Sequence, residues 1–90
     1  MNYFVYILYS QKDKKLYIGQ TSKIDIRLKE HFGGKVKSTK NRRPLLFIKS
    51  EIYKSRSEAM RREKFLKSLF GYKERIRLLK EFLSDGSSRS

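Results

Sequence analysis

The stretch Tyr3-Phe4-Val5-Tyr6-Ile7-Leu8-Tyr9, answered a few residues later by Leu16-Tyr17-Ile18-Gly19, decides how this chain folds. The first run is aromatic, aliphatic or β-branched at every position. Such unbroken apolarity predicts a central strand, covered on both faces, over residues 3–9. Residues 10–14 are polar and read as a hairpin turn. Residues 15–20 read as a second short strand ending near Gly19. A link this short cannot hold a crossover, so the two strands are antiparallel neighbours.

Working outward, Thr21 or Ser22 is predicted to cap a helix over residues 22–32, with Asp25 in its first turn. Ile24, Leu28 and Phe32 fall on one stripe of that helix, and Gly33-Gly34 ends it. Residues 35–43 hold five cations in nine residues and read as an irregular loop closed by Pro44. A third strand is expected over residues 45–53. Ser55-Arg56-Ser57-Glu58 has capping-box spacing and opens a second helix, expected over residues 56–70 and ended by Gly71. Tyr72, Ile76, Leu79 and Leu83 predict a third amphipathic helix over residues 73–83. The expected class is α+β: a small three-stranded antiparallel sheet packed with three helices. Residues 1–84 form one domain in this reading, and residues 85–90 form a disordered polar tail.

Composition narrows the function. Ninety residues carry 23 Lys and Arg against nine Asp and Glu, a net charge of +14. Polyanions are the natural partners of such a chain, because neutralising phosphates releases counterions. Nucleic acid is the leading candidate, with an anionic membrane surface or ribosomal RNA as the blander one. There are no cysteines, which excludes disulfides and Cys-based zinc sites and fits a reducing cytoplasm. The longest apolar run is far too short to span a bilayer. It also lacks the flanks of a signal peptide, so none is expected and a cytoplasmic protein is.

Phe4-Val5-Tyr6 and Tyr17-Ile18-Gly19, on adjacent strands ten residues apart, resemble the two tripeptides that name the GIY-YIG nuclease superfamily. The second tripeptide is intact. The first keeps its Tyr and replaces Gly and Ile. The family places an Arg eight residues beyond the second Gly, and Arg27 is there. His31 follows one helical turn later. On the second helix the family places a Glu four residues after a small residue, as Ala59 and Glu63 are spaced, with Lys67 beyond. The resemblance covers residues 3–69 and is nearest to short stand-alone bacterial members, which look like the N-terminal nuclease domain of the excision-repair incision subunit. Two positions depart from the pattern. Gln20 stands where the repair enzymes have Lys, and no Asn occurs after Asn41.

The resemblance implies a metal-dependent DNA endonuclease, with Tyr6, Tyr17, Arg27, His31 and Glu63 as catalytic residues and Mg2+ or Mn2+ held by Glu63. Tyr17 is the family's candidate for activating the attacking water, and Tyr6 for orienting water or phosphate. Arg27 is suited to clamping a phosphate, and His31 to relaying a proton. Without the family, Tyr6 and Tyr17 are core aromatics, Arg27 a solvated cation and His31 a residue bonded to backbone. Glu63 shares a helix face with Ala59, Leu66 and Phe70. There it is either a buried ion pair with Arg27 or Lys67, or a metal ligand. Lys35, Lys37, Lys40, Arg42 and Arg43 in the loop, with Arg62 and Lys67 on the second helix, are the expected nucleic-acid contacts. Phosphate contacts of this kind favour recognition by shape over sequence. DNA is preferred to RNA as partner, localisation on the nucleoid would follow, and a protein partner would supply targeting. The alternative is a weak or inactive nucleic-acid-binding module of the same fold.

Overall fold

A computed structural model describes residues 1–84, and the tail expected at residues 85–90 lies outside the described residues. The elements run β1 (Tyr3–Ser10), β2 (Leu16–Thr21), α1 (Ile24–Phe32), β3 (Leu45–Tyr53), α2 (Arg56–Lys67) and α3 (Tyr72–Ser84). Short 3-10 turns at Lys40–Arg42 and Leu69–Gly71 precede β3 and α3. This is the expected α+β arrangement of three antiparallel strands and three helices. No described helix is long and apolar enough to cross a membrane.

The sheet order is β2-β1-β3, so the most apolar strand takes the centre. Both ladders are antiparallel, with Tyr6 opposite Gly19 on β2 and opposite Ser50 on β3. The β1–β3 register shifts between Ile7 and Leu8, which leaves Ile48 as an extra residue on β3. Side chains alternate along β1, and the two faces serve different helices. Val5 and Ile7 pack with Ile18, with Ala59 and Leu66 of α2 and with Leu78 of α3. Tyr6 and Leu8 pack with Leu45, Tyr17 and the α1 residues Ile24 and Leu28. The core is thus two half-cores on either side of one sheet.

Several local expectations are corrected. Lys23, not Thr21 or Ser22, occupies the cap of α1 and offers no side-chain hydrogen bond there. Thr21 instead accepts the Lys23 N–H through its Oγ1 (3.0 Å), closing the turn before the helix. Phe32 does not continue the buried stripe; it is exposed, and His31 is the fully buried residue of α1. The inward line is therefore Ile24, Leu28 and His31, at i, i+4 and i+7. The second helix stops at Lys67, short of residue 70. Its start is as expected, with the Ser55 hydroxyl accepting the Glu58 N–H (3.2 Å). On α3 the buried residues are Leu78 and Phe82, whereas Tyr72 and Leu83 of the expected stripe are exposed. The Phe82 ring packs on Tyr9 of the central strand, centroids 5.3 Å apart.

The segment at residues 35–43 is also more ordered than a basic loop should be. Val36 and Thr39 are buried, and the Lys40–Arg42 turn follows them. The Ser10 hydroxyl, itself buried on β1, donates to the Arg42 carbonyl at 2.6 Å. The Arg42 guanidinium pairs with Asp13 in the β1–β2 turn, and this holds the Asp13 carboxyl down at about 2. Arg43 Nε donates to the Lys40 carbonyl (3.1 Å). Its guanidinium lies over Gly34, where a Cβ would fall 2.5 Å from Arg43 Cζ and where φ is +77°. The positive φ favours glycine there, while the exposed Arg43 guanidinium could shift to admit a Cβ.

Candidate active site

The strand pairing and the inward face of α1 bring four of the five expected catalytic residues together. Tyr6 comes from the middle of β1 and Tyr17 from β2, with ring centroids 6.3 Å apart. His31 reaches in from α1, with its ring 5.3 Å from Tyr6 and 5.0 Å from Tyr17. Gly19 makes the approach possible, since a Cβ at that position would lie 2.5 Å from the Tyr6 hydroxyl oxygen. That is the physical role of the glycine in the second tripeptide: it leaves room for the tyrosine of the neighbouring strand.

Tyr6 and His31 are the buried heart of the cluster, at 1% and 0% exposure. The Tyr6 hydroxyl meets His31 Nε2 at 2.8 Å, and His31 Nδ1 meets Thr39 Oγ1 at 2.8 Å. Both ring nitrogens are satisfied, as buried polar groups must be. Burial, reinforced by the Arg27 charge, pushes the His31 imidazole down to about 4. It is neutral at physiological pH, one nitrogen donating and the other accepting. Burial also pushes the Tyr6 phenol up to about 12, with the nearby Arg27 guanidinium opposing it. Arg27 is itself held more firmly in its charged form, chiefly by Tyr6 and then by Glu30, which its Nη1 meets at 3.2 Å. Arg27 thus stands at the solvent side of the cluster, next to both tyrosines.

Glu63 is placed differently. It rides on α2, in the layer on the other side of the sheet from α1. Because α2 ends at Lys67, Phe70 does not share its face, and the Glu63 side chain is half-buried at the rim (23% exposed). Of the two ion-pair partners considered for it, Lys67 is the one found, at 3.1 Å. Arg27 is engaged with Glu30 instead. An exposed i,i+4 pair of this kind is worth only about 0.3–0.5 kcal/mol, so Lys67 is easily displaced. Gln20 lies on β2 two residues beyond Ile18 and so on the α2 side. Its Oε1 is the one buried side-chain oxygen or nitrogen without a hydrogen-bond partner among the described residues.

Among the described residues no three His, Cys, Asp or Glu side chains are grouped to cage a metal. The donor on offer here from α2 is one partly exposed carboxylate, Glu63. An oxygen-only, ligand-poor set fits a hard divalent ion that keeps most of its water, and does not fit a zinc site.

Of the expected nucleic-acid contacts, Lys35, Lys37, Lys40, Arg43 and Lys67 are exposed. Arg42 is half-buried and tied to Asp13. Arg62 is half-buried between Glu51 (2.9 Å) and Glu74 (2.9 Å) and joins β3 to α2 and α3. Lys40 and Arg43, with Lys12, Asn41 and Phe32, line an open basic groove of about 530 Å³. It lies one residue along the chain from the His31–Thr39 hydrogen bond on both sides. Thr39 is the residue that sequence reasoning missed. Its signal was a hydroxyl three residues after Val36, the one apolar residue in a run of cations.

Comparison with known proteins places the chain in a family. Residues 2–75 match the family described as the GIY-YIG catalytic domain. A UPF0213 protein of Staphylococcus haemolyticus is 39% identical over 80 residues, covering 88% of this chain and 95% of that protein. One from Staphylococcus aureus is 36% identical over 81 residues, covering 89% and 96%. The solution NMR structure of a UPF0213 protein from Bacillus halodurans is 37% identical, with a TM-score of 0.53 over 87% of this chain and 85% of that one. The family match spans most of the chain and the relatives align over nearly their whole length, so this chain belongs to the GIY-YIG family of nuclease-type domains.

Proposed function

We propose that this chain, acting as one domain over residues 1–84, hydrolyses DNA phosphodiester bonds with one divalent ion, Mg2+ or Mn2+. It selects its substrate by shape and flexibility rather than by sequence. The observation that carries this reading is the position of β2. It is an edge strand, with the Tyr6–Tyr17–Arg27–His31 cluster on one face and α2, bearing Glu63, packed on the other. In this reading a phosphate bound across that edge meets groups from both layers.

Each side chain then has a role set by its environment. Arg27, already cationic and beside the tyrosines, clamps a phosphate oxygen. Tyr6 keeps its proton at neutral pH, because its phenol is pushed up to about 12. It therefore works as a hydrogen-bonding group and not as a base. When His31 carries its proton on Nδ1, toward Thr39, Tyr6 donates to Nε2 and its oxygen accepts. When the proton is on Nε2, Tyr6 accepts from it and its hydroxyl points toward substrate. His31 is a positioning residue for Tyr6. Holding a proton on it at pH 7 is disfavoured by a factor of roughly a thousand, given a value of about 4. Tyr17, at the less buried side of the pair, orients the attacking water and relays its proton, accepting it on the phenol oxygen while its own hydroxyl proton passes to solvent. Glu63 would hold the metal ion, which would polarise the phosphate and stabilise the leaving oxygen when bound. Lys35, Lys37, Lys40, Arg43 and Lys67 supply the salt-sensitive backbone grip. A partner protein would direct the domain to its substrate.

A nicking assay on flapped, branched and single-stranded DNA, with Mg2+ or Mn2+, tests the reading. Wild type should cut at least one substrate, and Glu63→Gln should lose cleavage while keeping affinity. If wild type and Glu63→Gln are equally inert on every substrate, the hydrolytic reading fails. The surviving one would be a binding module of the same fold. Gln20 favours that second reading, because it supplies no cation where the repair enzymes have Lys.

A further inference from the structure

The end of α2 is built with more care than a surface turn needs. The helix stops at Lys67, and a 3-10 turn over Leu69–Gly71 leads into α3. Gly71 is buried, and a Cβ there would lie 2.3 Å from the Phe65 carbonyl oxygen and 2.9 Å from Leu66 Cα. Both are backbone atoms that cannot yield. The Arg75 guanidinium reaches back from α3 and donates to the carbonyls of Leu66 and Ser68. The Ser68 hydroxyl donates to the Phe65 carbonyl at 2.7 Å, and the Gly71 N–H to the Ser68 carbonyl at 3.1 Å. The Phe65 and Leu66 carbonyls at the helix end, and that of Ser68 just beyond it, are thereby satisfied. The turn is pinned from both helices.

What this rigid turn presents is apolar. Leu69 and Phe70 are 89% and 87% exposed, the highest values of any large hydrophobic residue after Met1. Neither contributes to the core. Exposed lysines stand on both sides in the chain, Lys64 and Lys67 before and Lys73 after. A second copy of this chain would bring the same cations face to face, on a protein of net charge +14. The complementary partner is therefore anionic and also offers an apolar slot two side chains wide. A nucleic-acid base step is such a slot. Proteins that kink duplexes insert Phe, Leu or similar wedges between neighbouring bases, next to cations that hold the phosphates.

We propose that Leu69 and Phe70 form a wedge that enters between stacked bases and selects duplexes that unstack easily. The proposal rests on the nucleic-acid reading above and adds a determinant of substrate choice to it. The wedge follows directly on the helix that bears Glu63, so it opens the step beside the phosphate that the site handles. Unstacking costs least at nicks, flaps and mismatches, and these are the substrates it would favour.

The chain has no tryptophan, so Phe70→Trp installs a single fluorescent reporter. Binding is measured without divalent ions, so that cleavage cannot intervene. The probes are an intact duplex and a nicked, flapped duplex with 2-aminopurine at the junction. Wild type should brighten the 2-aminopurine, and the indole introduced by Phe70→Trp should be quenched on binding. The double variant Leu69→Ser/Phe70→Ser should lose both signals. It should bind the nicked duplex roughly tenfold more weakly, with its thermal midpoint and its affinity for intact duplex little changed. Equal affinity of wild type and double variant for the nicked duplex overturns the proposal. So does a silent 2-aminopurine in a bound complex. Self-association of wild type that the double variant abolishes would make the turn an interface between copies. Loss of binding to anionic vesicles alone would make it a lipid contact. If wild type binds no nucleic acid at low salt, the nuclease reading itself falls. If it binds but ignores the wedge substitutions, only the wedge does.

Discussion

Acidification from pH 7 to pH 5 should destabilise this fold by about 2 kcal/mol through one residue, the single histidine. His31 is fully buried, and it bonds Tyr6 and Thr39 as a neutral ring. Its folded value lies near 4 against an ordinary 6.5. Between those values the unfolded chain holds a proton that the folded chain does not. Stability therefore falls as pH falls through the window, and the loss levels off near pH 4. From 6.5 to 5 the imbalance spans about one and a half pH units at 1.36 kcal/mol each, which gives the 2 kcal/mol. For a domain of this size that is a drop of roughly 10 °C in thermal midpoint. The carboxylates held low by arginines, Asp13, Glu51 and Glu74, do not interfere. Their contributions are lost only as pH falls below their ordinary 3.8 to 4.5. Circular-dichroism melts at pH 7, 6 and 5 make the measurement, with His31→Gln as control. The variant should start lower, because it cannot reproduce both hydrogen bonds, and its midpoint should hardly move between pH 7 and 5. A wild-type midpoint that does not move over that range would refute the reasoning. So would a His31→Gln variant that keeps the wild-type slope.

Two further substitutions follow from the packing. Gly19→Ala places a methyl on the Tyr6 ring, so it should cost about 1–3 kcal/mol and lose cleavage more than binding. Denaturant melts and paired binding and nicking assays separate the two effects. Arg62→Met should destabilise by roughly 1–2 kcal/mol, because it removes the cation shared by Glu51 and Glu74 and leaves Glu51 to Lys49 and Tyr53 and Glu74 to Arg77. Adding Glu51→Gln should recover part of that loss in a double-mutant cycle, and a strictly additive double variant would deny the coupling.

Covalent neighbours and short spacings made much of the fold legible. The unbroken apolar run at β1 marks a strand that must be covered on both faces, and it is the central one. A turn too short for a crossover leaves only an antiparallel partner. Ser55 and Glu58 cap α2 through contacts three residues apart. The tyrosines, Arg27 and Glu63 could be singled out because their spacing matched a family pattern. Contacts between distant segments could not be read in this way. Phe32 and His31 compete for the inward face of α1, and hydrophobicity alone favours Phe32. The imidazole wins because Tyr6, 25 residues before it, and Thr39, eight residues after it, satisfy its two nitrogens. Arg42 and Arg62 look like free cations along the chain, and Asp13, Glu51 and Glu74 engage them only across the fold. The position of Glu63 on a helix across the sheet from the tyrosines is likewise a property of the layers. The chain itself determined which segments become strands and helices, because propensity, capping and turn chemistry act over a few residues. Tertiary structure alone decided which polar groups are buried and which charges stay available, because each depends on a partner brought in from far along the chain.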